Sequence, residues 1–185
     1  MLIRKLLPDE RPDFAFHLKG LAPADRRFRF AHGTVSDDWI DTYVGGIDPD
    51  DLILGVFDGP RLVGAAHVAF SDAVAEVGVS VDPAHRSAGI GAELFKRAIR
   101  WARNRGAERL YTLCLADNRA MIRLAGKLGM EVTRDSGTAE AYLALDPPDL
   151  LTVADEMSSG LDTIMTDWTD AWRACHRALL PGGKI

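Results

Sequence analysis

The residues best suited to chemistry lie in one turn, Arg86-Ser87-Ala88-Gly89-Ile90-Gly91. An apolar run, Val77–Val81, precedes this turn, and a helical pattern follows it. The first N–H groups of a helix have no partner within the helix, and the helix dipole favours negative charge there. Gly89 and Gly91 let an anion approach the backbone closely, and Arg86 adds a positively charged fork of donors. The sequence therefore predicts a pocket for a phosphate-bearing ligand at the end of a buried strand.

Two common phosphate-binding loops do not match this turn. A Walker loop continues from its last glycine into Lys and Ser or Thr, whereas Ala92 and Glu93 follow Gly91. The dinucleotide fingerprint needs a third glycine at the position of Leu94. The turn therefore indicates neither a P-loop nor a Rossmann dinucleotide site.

The spacing Val81-x-Pro83-x-x-Arg86-x-x-Gly89-x-Gly91 resembles motif A of the GNAT family, the acyl-CoA-dependent N-acetyltransferases. In that family a Q/R-x-x-G-x-G/A turn holds the pyrophosphate of coenzyme A. Glycine-rich turns between a strand and a helix occur in many α/β proteins, so this motif is weak evidence when it stands alone.

A second segment, residues 118–131, resembles motif B of the same family, N-x-x-A-x-x-L-Y-x-x-x-G-F. It follows a second apolar run, Leu110–Leu115, in the order and at the separation that the family shows. Two ordered motifs make coincidence improbable. The positions that match are Asn118, Leu124 and Gly129, and those that depart are Met121 for Ala, Ala125 for Tyr and Met130 for Phe.

The resemblance implies acetyl-CoA as cosubstrate, and the five histidines form no metal-ligand set, so we expect no metal. The family splays two central strands, so the free backbone groups of Val77–Val81 would bind the pantetheine arm and polarise the thioester. The alternative is an ordinary core strand, although Gly78 indicates a bulge or a close approach to the backbone. Asn118 suits both a helix N-cap and a pantetheine contact. The implied cofactor-binding residues are Val79, Val81, Arg86, Ser87, Ala88, Gly89, Ile90, Gly91, Asn118 and Met121.

Acyl transfer to an amine needs a neutral amine, donors for the developing oxyanion and a proton or field for the departing thiolate. Glu76 is the only acid within an apolar strand and is the candidate general base, since partial burial would raise its pKa. A structural ion pair with an arginine is the equal alternative. Strand alternation places Ser80 on the same face as Glu76, and Ser80 is the second candidate catalytic residue.

The general acid of the family is absent, because Ala125 stands where motif B has tyrosine. The leaving thiol would take its proton from water or from another donor among Tyr111, Tyr142, Cys114 and Ser80. This absence motivates an alternative function, a catalytically silent acyl-CoA-binding or regulatory module. A third interpretation is a structural partner protein that uses Trp168 and Trp172.

Length, composition and charge limit the domain organisation, the partners and the location that we expect for this chain. With 185 residues, 47% of them hydrophobic, the chain is long enough for one domain with an ample core. A net charge of −5 argues against nucleic acid as a partner. No apolar segment reaches the ~20 residues needed to span a bilayer, and Cys114 and Cys175 lack metal-site spacing. We expect a cytoplasmic protein.

The periodicities predict a mixture of strands and helices. The resemblance to the GNAT family implies an α/β (α+β) fold with a mixed twisted central sheet and helices on both faces. We expect a GNAT domain over residues 1–146 and a helical extension over residues 147–185. The extension carries an apolar stripe that would pack on the domain or form an oligomer interface, such as that of a homodimer. A tryptophan-lined substrate wall is the less favoured alternative.

The N-terminal stretch, with Leu21-Ala22-Pro23-Ala24-Asp25, is similar to the GNAT domain of bacterial protein-lysine acetyltransferases. That branch also tends to lack the motif B tyrosine. The resemblance implies an N-acetyltransferase that transfers the acyl group to a primary amine by direct attack in a ternary complex. The acceptor, a small molecule or a protein lysine, stays open.

Overall fold

The computed structural model describes residues 2–154 and 156–158, which form a seven-stranded mixed sheet with helices on both faces. This confirms the predicted fold class. The helices are α1 (Arg11–Lys19), α2 (Pro23–Phe30), α3 (Asp37–Gly45), α4 (Ile90–Asn104) and α5 (Arg119–Lys127). The strands are β1 (Leu2–Lys5), β2 (Leu52–Asp58), β3 (Arg61–Ser71), β4 (Val74–Val81), β5 (Arg109–Leu115), β6 (Glu131–Asp135) and β7 (Thr138–Ala144).

The sheet has the strand order β1-β2-β3-β4-β5-β7-β6. All neighbouring pairs are antiparallel except β4 and β5, which are parallel. A parallel pair needs a crossover connection, and α4 provides it. The glycine turn therefore lies between the end of β4 and the start of the crossover helix.

The parallel pairing ends early. Val74–Glu76 pair with Arg109–Tyr111, and beyond these residues β4 and β5 have no paired residues. β4 stays paired with β3 as far as Val81, and β5 stays paired with β7 as far as Leu115. The two central strands therefore separate into a fork, as the sequence resemblance implied, and one edge of β4 lies open.

Two apolar cores cover opposite faces of the sheet. Val77 and Val79 of β4 pack with Phe95 in the core beneath α4 and α5. The opposite core contains Phe14 and Ile40 from α1 and α3. The alternation of β4 sends Glu76, Gly78 and Ser80 to this second face.

The segment after β7 lies against the end of α4. Residues 150–154 and 156–158 are helical. Arg103 pairs with Asp149 at 2.8 Å, and Arg105 pairs with Glu156 at 3.1 Å. The predicted apolar stripe with Trp168 and Trp172 lies outside the described residues, so the domain boundary near residue 146 stays a prediction.

Candidate active site

The glycine turn has the backbone geometry of an anion site. Gly89 is the N-cap of α4 with φ of +80°, and Ser87 also has a positive φ of +66°. Glycine is the residue that adopts this conformation without strain. A Cβ on Gly91 would lie 3.8 Å from Leu124 and from Val81, an ordinary contact distance. Packing within the protein therefore does not exclude a side chain at position 91.

This turn opens into a cleft of about 620 Å³ between β4, α2, α4 and α5. Two predicted site residues, Ala88 and Glu76, are not among the lining residues. The cleft gathers the other predicted cofactor-binding residues and one candidate catalytic residue. They are Val79, Ser80, Val81, Arg86, Ser87, Gly89, Ile90, Gly91, Asn118 and Met121.

The open edge of β4 presents backbone groups to this cleft. Asp82 donates its N–H to the carbonyl of Val63 on β3, at 2.8 Å. Because backbone direction alternates along a strand, residues 77, 79 and 81 point away from β3 and toward the fork. The carbonyl of Val81 accepts from Arg86 Nε at 3.2 Å. The groups of Val79 are therefore placed to bind an extended ligand.

The start of α5 forms the opposite rim. Asn118 is its N-cap, and Asn118 Oδ1 accepts from the N–H of Met121 at 3.1 Å. The predicted capping role is thereby confirmed. Arg119 and Lys127 also line the cleft and add positive charge near the glycine turn. This charge complements a ligand that carries several phosphates.

Helix α2 lines one side of the cleft, which the sequence did not reveal. Asp25 of α2 pairs with Arg86 at 2.8 Å, and Arg27 pairs with Asp117 at 3.2 Å. Asp25 also lines the cleft. No sequence signal separates Asp25 from the other acids of this chain, because its partner lies in a distant turn.

Ser80 makes a buried contact that was also missed. Its Oγ lies 2.9 Å from His17 Nε2, and His17 Nδ1 lies 3.2 Å from the carbonyl of Leu62. Burial lowers the pKa of His17 to about 4, so the ring is neutral near pH 7. Since a carbonyl only accepts, Nδ1 carries the proton and Nε2 accepts from Ser80. The Ser80 hydroxyl therefore donates to His17, and its oxygen lone pairs remain available to accept a hydrogen bond from another group.

A second, partly buried chain of hydrogen bonds leads to Arg29. Arg29 Nη2 donates to the hydroxyl oxygen of Tyr43 at 3.2 Å, and that hydroxyl lies 2.7 Å from His67 Nδ1. His67 Nε2 lies 3.0 Å from Asp51 Oδ2. Burial, with the charge of Arg29, lowers the pKa of His67 to about 4. The neutral ring therefore accepts from Tyr43 and donates to Asp51.

Glu76 lies at the point where β4 and β5 separate. Its side chain is exposed, so the partial burial expected from the sequence is not present. Glu76 pairs across the sheet with Tyr111, whose ring centroid lies 4.8 Å from that of Tyr142. Burial, aided by the charge of Glu140, raises the pKa of Tyr111 to about 12. The phenol of Tyr111 therefore remains a proton donor near pH 7.

Ala125, which stands where motif B has tyrosine, packs in the core. Ala125 is buried and offers no proton. Cys114 is a free, buried thiol, and burial raises its pKa. Neither residue supplies an evident proton to the cleft.

Other proteins share this fold. The GNAT domain of S. lividans PAT superposes with a TM-score of 0.65 at 18% identity, covering 77% of this chain and 89% of that one. Ribosomal-protein-alanine N-acetyltransferase from Brucella melitensis has a TM-score of 0.60 at 20% identity, over 78% and 100% of the two chains. Spermidine N-acetyltransferase from Vibrio cholerae, in complex with CoA and spermine, has a TM-score of 0.60 at 15% identity, over 77% and 94%. At these identities the likeness shows the fold.

The sequence itself matches a family model. Among curated protein sequences, none is significantly similar to this chain. The model of the acetyltransferase (GNAT) family matches residues 15–130. Because that match spans more than half of the chain, the protein belongs to the GNAT family of acetyltransferases.

Proposed function

We propose that this protein transfers the acetyl group of acetyl-CoA to the primary amine of a small molecule or a protein lysine, by direct attack in a ternary complex. The observation that carries this proposal is the open edge of β4, which continues through the glycine turn to the N-terminus of α4. When bound, acetyl-CoA supplies a thioester acetyl group, to which the amine forms a C–N bond while the C–S bond breaks and the thiol leaves.

The residues of the cleft fit coenzyme A. The N–H groups at the start of α4, with Gly89 and Gly91, would hold the pyrophosphate. The unpaired backbone of Val79 suits the amide-bearing pantetheine arm, and Asn118 lies on the opposite rim. Arg86 already pairs with Asp25 and would exchange that carboxylate for a phosphate.

Two side chains are proposed to act on the acceptor amine. Glu76, on the face of β4 opposite α4, would take a proton from the amine directly or through water. Ser80 would accept a hydrogen bond from the amine, because its own proton is directed at His17. The proton for the leaving thiol is assigned to water, since Ala125 has none to give. A cytoplasmic location and a homodimer stay predictions.

Calorimetric titration with acetyl-CoA, followed by thiol release with a panel of amines, tests this function. Binding with turnover of an amine is the expected result. Binding without turnover of small amines or lysine peptides would favour the silent acyl-CoA-binding module. The absence of binding would contradict the assignment of the glycine turn.

Two substitutions separate binding from chemistry. Gly91→Leu should weaken acetyl-CoA binding at least tenfold, because the side chain occupies the approach of the phosphate to the backbone. Glu76→Gln should leave the affinity for acetyl-CoA unchanged and lower kcat, by about 100-fold if Glu76 is the general base. Gly126→Leu is the matched control, because Gly126 lies in α5 with open space around it. Unchanged affinity in Gly91→Leu would overturn the pyrophosphate site, and an unchanged kcat in Glu76→Gln would overturn the base.

A further inference from the structure

Arg29 is a shielded guanidinium without a carboxylate partner. Among the residues that the structure describes, it pairs with no Asp or Glu, whereas Arg26 and Arg27 of the same helix each pair with an aspartate. Within residues 2–154 and 156–158, its one side-chain hydrogen bond goes to Tyr43, and Arg29 Nε is shielded from solvent with no partner. Most donors of this fixed positive charge are therefore free for a ligand.

The surroundings hold this guanidinium in one place. It lies directly over Gly78 of β4, where a Cβ would collide with Nη1 and Cζ. Its Cζ lies 4.9 Å from the ring centroid of Phe30 and 6.0 Å from that of Tyr43. The Tyr43 hydroxyl is fixed in turn by His67. The absence of a side chain at position 78 is what makes room for Arg29, so the close approach predicted at this glycine is present.

Arg29 lies away from the phosphate-binding end of the cleft. The phosphates would bind at Gly89, beyond the end of β4, whereas Gly78 lies in the middle of that strand. Arg29 lines the same cleft. An anion bound by Arg29 is therefore distinct from the phosphates of coenzyme A.

Opposite charges flank the fork on one face of β4. Glu76 and Gly78 point to the same face, and two residues of a strand span about 7 Å. The guanidinium over Gly78 and the carboxylate of Glu76 can therefore face a small ligand that carries both charges. An α-amino acid has this pattern, with its carboxylate one carbon from a primary amine.

We propose that Arg29 binds a carboxylate of the acceptor and that the acceptor is a free amino acid or a similarly small amino carboxylate. This inference rests on the proposed acetyltransferase function and narrows its acceptor class. A polyamine or a lysine side chain brings no carboxylate beside its amine, and Arg29 repels any further ammonium group. The ammonium of the zwitterion would face Glu76, which would take the proton.

The first test compares L-amino acids with their amides, together with spermidine and a lysine-containing peptide, by thiol release at pH 8. The amino acid should exceed its amide in kcat/KM by about 10- to 100-fold, the range for a lost charged hydrogen bond. An amide has the less basic amine, so reactivity alone would favour the amide. Equal rates, or preference for the amide, spermidine or the peptide, would overturn the inference.

The second test uses Arg29→Gln. It should raise KM for the amino acid about 10- to 100-fold and leave kcat/KM for the amide within about twofold. Arg29→Lys should recover part of the loss, and Arg134→Gln, an exposed substitution on β6, should change neither value. An equal fall in kcat for both acceptors would show that Arg29 acts on the thioester, which overturns the inference.

Acetyl-CoA binding distinguishes failure of the proposed acetyltransferase function from failure of the inferred acceptor class. If acetyl-CoA fails to bind the wild-type protein, the proposed function itself fails. If it binds and Arg29→Gln retains that affinity, the acceptor results stand by themselves. If no amine is turned over, calorimetric titration of L-amino acids into the protein with CoA replaces the rate assay, and lack of binding overturns the inference. Should Arg29→Gln not fold, Tyr43→Phe removes the oxygen that positions Arg29 and should raise the same KM.

Discussion

Single residues account for the polar interior behind the cleft. His17 and His67 are buried on the same side of the sheet, and both ring nitrogens of each are hydrogen-bonded. Burial lowers the pKa of each ring to about 4. The neutral rings position Ser80 directly and Arg29 through Tyr43. Protonation of either ring would replace an acceptor nitrogen by a donor and break that arrangement.

These two histidines predict the pH dependence of stability. A pKa of about 4 in the folded state against about 6.5 in the unfolded chain means that the unfolded state binds more protons between these values. The stabilising contribution of each neutral histidine should therefore be fully present above pH 6.5. The free energy of unfolding should fall as the pH drops toward 4, by up to about 3 kcal/mol for each histidine. Urea unfolding at several pH values measures this fall.

Single histidine substitutions test whether the fall in the free energy of unfolding comes from the buried rings. His67→Gln should show a shallower fall between pH 6.5 and 4 than the wild type. His32→Gln, at an exposed position, is the control and should retain the wild-type slope. Equal slopes for His67→Gln and the wild type would contradict the lowered pKa of His67.

At the scale of elements, α2 brings a carboxylate to the glycine turn. It packs against both β4 and β5, and its Asp25 pairs with Arg86 at the start of that turn. A carboxylate there opposes an anionic ligand, while Arg86 and the N-terminus of α4 attract it. In the proposed function, this ion pair would compete with a phosphate group for Arg86.

Removing this competition should tighten binding. Asp25→Asn should lower the Kd for acetyl-CoA by about two- to fivefold, because exposed ion pairs are worth about 0.2–1 kcal/mol. Calorimetry at low salt measures the change, which should shrink as ionic strength rises. Asp37→Asn, at the exposed partner of Arg26, is the control. Weaker binding by Asp25→Asn would indicate that the aspartate instead orients Arg86 for the phosphate.

At the scale of the whole molecule, one sheet joins two cores. Phe95 is fully buried beneath α4, and Phe14 is fully buried beneath α1 on the other face. Because the strands contribute alternate side chains to both cores, neither core can lose its packing while the other keeps the sheet. We expect the described chain to unfold cooperatively.

None of the helices in the described part of the chain is long and apolar enough to cross a bilayer.

Matched deletions test this cooperativity. Phe95→Ala and Phe14→Ala should each lower the free energy of unfolding by about 3–5 kcal/mol, the cost of a buried phenyl ring and its cavity. Each variant should keep a single transition by circular dichroism and by tryptophan fluorescence. Phe16→Ala, at a residue that is 75% exposed, should change stability by less than about 0.5 kcal/mol. Separate transitions in one variant would contradict a shared sheet.

Local patterns were sufficient for much of this protein. Alternation and helical periodicity predicted the two central strands, from the apolar runs Val77–Val81 and Leu110–Leu115, and the helix that follows the glycine turn. The turn from Arg86 to Gly91, the N-cap at Asn118 and the close approach at Gly78 were also readable from the sequence. These features depend on residues near one another in the chain, where backbone geometry and capping act directly.

The tertiary structure alone decided which distant residues meet. Nothing in the sequence pairs His17 with Ser80, Asp25 with Arg86, or Arg29 with Gly78, because each contact depends on how a helix lies over the sheet. The exposure of Glu76 was likewise decided by packing, since β5 departs from β4 just beyond it. The sequence by itself therefore determined local features, namely the central strands and the glycine turn. The tertiary structure decided the polar network behind the cleft, because long-range contacts and burial arise only when the elements pack together.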